Sequence, residues 1–150
     1  MRITTKGRYG MRAIIHLALA YHNRPISIGT IAEQEKVSSE FLEQIFFKLK
    51  KAGLIQSIRG PGGGFVLGRK PAEITMKDVL DAIGETGRLT PCTFRRKICT
   101  RTDVCNSHEI WVGLQEAIDG YLKSVTLKKI IDKNGRRFFE KLDSNQDFSI

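Results

Sequence analysis

The stretch from Ser27 to Gly68 constrains the fold more than any other part of this chain. Ser27, shortly after Pro25, opens a short helix through Ile31 and Ala32. Val37 and Ser38 make a turn, with Ser38 or Ser39 as the N-cap whose hydroxyl accepts a free first-turn N–H. A longer helix is predicted over 39–52, with Phe41, Leu42, Ile45, Phe46 and Leu49 inward and Gly53 as C-cap. Leu54-Ile55-Gln56-Ser57-Ile58 and Phe65-Val66-Leu67-Gly68 then read as two strands. Between them, Arg59-Gly60-Pro61-Gly62-Gly63-Gly64 forms a tip almost free of side chains. Two helices across a tight turn followed by a hairpin are the layout of a winged helix-turn-helix. The glycines alone would also suit a phosphate-cradling loop, but no helix opening with GK[ST] follows them.

The flanking sequence is mostly helical. Met11, Ile14, Ile15, Leu17, Ala18 and Tyr21 give residues 8–21 an amphipathic period. Thr75-Met76-Lys77-Asp78 is a capping box that opens a helix through Val79, Leu80 and Ile83. Residues 84–106 have no periodicity. Ile110, Trp111, Leu114, Ala117, Ile118, Tyr121, Leu122 and Val125 then make a long apolar stripe. Such a stripe suits a dimer-forming helix, with a helix buried inside its own domain as the alternative. Thr126 caps one more short helix, and the polar end from Asp143 to Ile150 is expected to fray. The fold class expected is mainly α with a small β-hairpin wing, a winged helix-turn-helix plus a long dimerisation helix. Residues 1–70 would be the winged unit, and 71–131 a loop and dimerisation helices intertwined with it. Residues 132–150 would be a mobile tail.

Charge narrows the partner. The 150 residues carry 25 Lys and Arg against 16 Asp and Glu, a formal +9. Residues 1–70 hold 12 basic against 4 acidic side chains, 71–106 hold 6 against 5, and 107–150 hold 7 against 7. A basic unit joined to a neutral one points to a polyanion, because neutralised phosphates release counterions. A merely soluble basic surface is the alternative. No apolar run approaches the roughly 20 residues of a membrane span. The opening MRITTKGRYGMR lacks the apolar stretch of a secretory signal, so a cytoplasmic location is expected.

All three cysteines, Cys92, Cys99 and Cys105, fall in the aperiodic stretch, and His108 follows at spacing C-x6-C-x5-C-x2-H. An odd count argues against a disulfide framework. Soft thiolates with an imidazole could hold an iron–sulfur cluster or zinc, or the thiols could be free and redox-reactive. Structural zinc usually has tight C-x2-C knuckles, absent here. Arg95, Arg96, Lys97 and Arg101 would stabilise thiolates. His16 and His22 read as ordinary core or surface histidines. No Ser-His-Asp set or carboxylate pair accompanies the loop, so an enzyme, including a small metalloenzyme with an open site, has no acid–base machinery to work with.

Met1-Arg2-Ile3-Thr4-Thr5-Lys6-Gly7-Arg8-Tyr9, Leu42-Glu43-Gln44-Ile45-Phe46 and Arg59-Gly60-Pro61-Gly62-Gly63-Gly64-Phe65 resemble motifs of the Rrf2 family of winged-helix transcription regulators. Cys92, Cys99, Cys105 and His108, with Trp111 beyond, resemble its iron–sulfur, IscR-like branch. The resemblance spans residues 1–131. It implies a homodimer on double-stranded DNA, with a 2Fe–2S cluster held in each subunit by the three cysteines and His108, and loss of the cluster changing the sites preferred. It departs at Ser39 and Glu40, where a leucine and a serine are expected, and in the six-residue first cysteine gap. Nitric-oxide-sensing relatives use an N-terminal aspartate as fourth ligand; Arg8 stands there instead, which leaves His108, or Glu109 beside it. Iron-responsive relatives share the triad, so iron, oxygen and nitric oxide stand beside cluster supply as signals, and a cluster-free regulator whose thiols respond to oxidation is a further alternative.

The resemblance also gives the DNA-facing residues roles. Ser38, Phe41 and Gln44 match recognition positions, with Gln44 suited to adenine and Ser38 to base edges. Ser39 and Glu40 are their neighbours. Arg59 would enter the minor groove beside Gly60, Gly62 and Gly63. Arg2, Lys6, Lys48, Lys50 and Lys51 are phosphate candidates. Glu43, held against bases or phosphate, would repel them and so discriminate between sites. A two-fold pair demands a near-palindromic operator.

Overall fold

In the computed structural model the described residues are 2–21, 24–85, 87–93 and 99–133. His22, Arg95, Arg96, Lys97 and the tail expected to fray lie outside them. Helix α1 (Thr5–Leu19) starts earlier than its apolar period suggests, because Thr4 caps it by accepting from the Gly7 N–H. Helix α2 (Ile28–Glu35) is capped by Ser27, whose hydroxyl accepts from Thr30 at 3.1 Å. Lys36 then turns the chain at φ 55°, and Ser38 caps α3 (Ser39–Lys51), accepting from the Phe41 N–H at 3.2 Å. Of the two serines the sequence offered, Ser38 is the cap. Helix α3 stops at the Ala52 cap, and Gly53 takes the left-handed φ of 75° one residue further on.

Strands β1 (Ile55–Ile58) and β2 (Gly64–Leu67) pair antiparallel, with Ile55 opposite Leu67 and Ile58 opposite Gly64. A third backbone segment joins them: Ile26 exchanges hydrogen bonds with Phe65 at 3.0 and 2.8 Å. The wing is therefore tied to the chain that enters α2. At Gly63 an added Cβ would stand 2.3 Å from the Ile58 carbonyl oxygen, so the hairpin itself requires glycine there.

Helix α4 (Met76–Ala82) opens with the expected box: the Thr75 hydroxyl accepts from the Asp78 N–H, and the Asp78 carboxylate accepts from the Thr75 N–H at 2.9 Å. Gly10 of α1 lets α4 come close, since a Cβ there would meet Ile83 at 2.9 Å. Helix α5 (His108–Ser124) lies against α4. Met76 donates to the Val125 carbonyl and Leu127 to the Ile74 carbonyl, which brings the end of α5 back beside the start of α4. Residues 127–133 are helical, and Thr126 accepts from the Lys129 N–H as their cap.

One core unites these elements. Ile14 and Leu17 from α1, Ile31 from α2, Leu42, Ile45, Phe46 and Leu49 from α3, Leu54, Ile55 and Leu67 from the wing, Val79 and Leu80 from α4, and Leu127 are all buried in it. Phe41, expected inward, is half-buried, its ring edge-on to Tyr9 at 5.7 Å. No residue of α5 is buried. The mainly helical winged fold expected from the sequence is thus present.

Candidate nucleic-acid interface and cysteine loop

Packing of one side of α3 into the core leaves the other side to solvent. Glu40, Glu43, Gln44, Phe47, Lys48, Lys50 and Lys51 are all exposed, while Ser39 is half-buried. Lys6, at the start of α1, joins Glu43, Gln44 and Lys48 around a shallow cleft of about 440 Å³ with Phe47 and Ile83 in its walls. Four of the expected DNA-facing residues therefore share one surface. Two lysines are already engaged: Lys48 donates to the Ile83 carbonyl at 3.2 Å, and Lys50 to the Ser57 hydroxyl at 2.9 Å. Lys48 thereby sits at the C-terminal end of α4, where a cation is favourable. Ser38 spends its hydroxyl lone pairs partly on capping α3, and Phe41 is held by Tyr9, over which Arg12 stands at 5.3 Å. Glu43 is exposed in the free chain, so only a bound partner can desolvate it.

At the hairpin tip Arg59 and Gly60 are exposed, Gly60 and Gly62 have φ of 98° and 74°, and Gly63 donates to the Gly60 carbonyl at 2.9 Å. A side chain at Gly60 or Gly62 would meet nothing within 4 Å, so the backbone there is open to an approaching surface. Arg2 is exposed as well. Phe47 is the residue that sequence reasoning passed over, although its place three residues beyond Gln44 already put it on the outward face.

The cysteine loop hangs between α4 and α5. Cys92 lies in a single 3-10 turn, Pro91–Thr93, and Cys99 and Cys105 in irregular chain; all three are free thiols and half-buried. Cys92 Sγ is 3.1 Å from the Thr90 hydroxyl and Cys105 Sγ is 3.3 Å from that of Ser107. The Ser107 hydroxyl and backbone, the His108 backbone and the nearby Arg101 charge hold the Cys105 thiol below its ordinary pKa, against a smaller opposing effect of burial. His108 opens α5, and its Nδ1 is buried without a hydrogen-bond partner among the described residues. Gln115 of α5 anchors the loop's start, accepting from Leu89 at 3.0 Å and donating to the Gly87 carbonyl at 3.2 Å. Among the described residues no three Cys, His, Asp or Glu side chains converge to hold a metal ion. The set of three thiols and an orphaned imidazole nitrogen nonetheless has the donor chemistry of a 2Fe–2S site. His16 is accounted for otherwise: it is buried, 2.7 Å from Glu35, which also pairs with Arg12 at 2.5 Å.

Along α5, Ile110 is 64% exposed and Tyr121 67%, with Leu114 and Trp111 also open. Ile110, Gly113, Leu114, Ala117, Gly120 and Tyr121 recur at spacings of three and four, so apolar and small side chains share one solvent-facing seam. No helix of the described residues is long and apolar enough to cross a membrane.

Comparison with known proteins gives the family. The model of the Rrf2 family, described as iron-dependent transcriptional regulators, matches residues 3–133. The transcriptional regulator IscR of Photorhabdus laumondii is 38% identical over 88% of this chain and 80% of its own length. Among solved structures, CymR, described as the global cysteine regulator of B. subtilis, superposes with a TM-score of 0.75 at 32% identity, covering 89% of this chain and 98% of that one. T. potens IscR gives a TM-score of 0.72 at 29% identity, covering 89% and 88%. The relatives are named as transcriptional regulators rather than enzymes. This chain belongs to the Rrf2 family of winged-helix transcriptional regulators.

Proposed function

We propose that the protein acts as a homodimer on a near-palindromic DNA operator and reports iron–sulfur status through a 2Fe–2S cluster held by Cys92, Cys99, Cys105 and His108. The observation that carries the sensing half is His108 Nδ1, buried at the head of α5 with no partner among the described residues, next to a loop with three free thiols. A buried unpaired nitrogen is costly, and a metal bond would satisfy it. When bound, the cluster would supply a redox- and assembly-sensitive group whose presence favours one arrangement of loop and helix over another. The chain's own residues do the coupling. Ser107 and Arg101 hold Cys105 toward the thiolate, and Gln115 transmits the loop's position to α5. The second reading is a cluster-free regulator whose thiols answer oxidation directly. It is supported by the likeness to CymR.

An anaerobic visible spectrum with iron, sulfide and zinc analysis separates the two. Reconstituted protein is expected to be reddish, with about two irons and two sulfides per chain, as the cluster's composition requires. His108→Ala is expected to shift that spectrum and make the cluster more labile. Colourless protein without iron or sulfide, but with alkylatable cysteines, would favour the thiol switch; zinc alone would make the loop structural.

For the DNA half, α3 enters the major groove, Gln44 reads adenine, Arg59 reaches the minor groove, and Arg2, Lys6 and the lysines of α3 meet phosphate. Exposed Glu43, in the cleft between Lys6 and Lys48, disfavours sequences that press a phosphate or carbonyl on it. Glu43→Ala is therefore expected to keep binding while broadening the range of duplexes bound. Competition among selected duplexes measures this, and an unchanged preference would remove the role.

A further inference from the structure

Within α3 only one large apolar side chain is left in water: Phe47, 69% exposed. It shares the outward side of the helix with Glu40, Gln44 and Lys51, opposite buried Leu42, Ile45, Phe46 and Leu49. In the cleft it stands with Lys6, Glu43, Gln44 and Lys48, beside the apolar Ile45 and Ile83. A phenylalanine so placed gives little to the free fold, and its ring would be fully desolvated only when α3 meets a surface. The major groove offers one apolar group at the base edges, the C5 methyl of thymine. Three residues of helix advance about 4.5 Å, close to one base-pair step of about 3.4 Å. A ring three residues after Gln44 therefore reaches the base pair next to the one Gln44 contacts.

We propose that Phe47 is a specificity-determining residue whose ring reads a thymine C5 methyl in the base pair adjoining the one contacted by Gln44. The inference rests on the reading of α3 as the helix that enters the groove. Gln44 and Phe47 would together recognise a short A/T-containing step, the amide through hydrogen bonds and the ring through methyl contact. The lysines on either side would hold the register.

The test uses the full-length protein and a duplex it selects from a random pool. Each thymine is replaced in turn by deoxyuridine, which pairs identically but lacks the methyl. Wild-type binding is expected to weaken by about fourfold at one thymine per half-site, the value of one buried methyl. Phe47→Ala should bind the thymine duplex about as weakly as wild type binds the uracil one, and should no longer distinguish them. Phe47→Leu, which keeps an apolar side chain, should retain part of the preference. Two results would overturn the proposal: no thymine-to-uracil effect in wild type, or an equal loss on both duplexes for Phe47→Ala, which would place the ring against sugar. Gln44→Ala, selected on the same pool, tells the two levels apart. If it changes the bases chosen and Phe47→Ala does not, only the methyl contact fails. If neither changes them, α3 is not the reading helix and both ideas fall.

Discussion

Leu114→Glu is expected to turn a dimer into a monomer in sedimentation equilibrium and to weaken operator binding by roughly 10²–10⁴-fold, the range lost when two linked contacts become one. The physical reason lies in α5. A helix exposing Ile110, Leu114 and Tyr121 in one seam leaves apolar area in water that the described residues of the single chain do not cover. Of the small residues between them, Gly113 and Gly120 have open space where a side chain would project and Ala117 is exposed, so a second helix could approach closely along the seam. A second copy fits this surface because a helix-turn-helix pair reads two half-sites about one DNA turn apart. A carboxylate at position 114 would have to be desolvated between the two helices, which costs far more than the lost leucine contact. The fold should survive, because Leu114 is open in the single chain and such surface changes usually stay within about 0.5 kcal/mol. Circular dichroism of the variant should therefore match wild type. A variant that remains dimeric would move the dimer contact off this seam.

Much of this architecture was legible because its signals are local. Ser27, Ser38 and Thr75 are caps, and their hydroxyls do what short polar side chains do at helix starts. The hairpin was visible from its glycines. What escaped was long-range. Nothing in the sequence around Ile26 announces that it pairs with Phe65 across almost forty residues, since backbone hydrogen bonds carry no side-chain signature. The engagement of Lys48 with the Ile83 carbonyl and of Ser38 with its own helix likewise depends on tertiary proximity. Phe41 could be read both as core and as a DNA contact, and its half-buried place against Tyr9 is compatible with each. The cysteine loop was the least readable part: spacing named the donors, but an aperiodic segment gives no rule for where its side chains meet.

Phe46→Ala is expected to lower stability by about 3–5 kcal/mol, the usual cost of emptying a buried phenylalanine site. Phe46 is 1% exposed, and its ring meets Phe65 of β2 edge-to-face at 4.9 Å. It is one of the side chains through which α3 rests on the wing, so its loss removes core volume and a contact that sets the helix against the hairpin. Against a typical total of 5–15 kcal/mol, a melting temperature lower by roughly 10–20 °C should follow in a thermal denaturation monitored by circular dichroism. Phe46→Leu, which refills part of the space, should lose less. Its sequence neighbour gives the contrast. Phe47→Ala should leave the melting temperature nearly unchanged while altering base preference, and Phe46→Ala should do the reverse, weakening binding to all duplexes alike. The two rings are adjacent in the chain and about 100° apart in direction around the helix, so period alone assigns one to the core and one to the solvent-facing side. If both variants melted alike, that division of α3 into a structural and a reading face would be wrong.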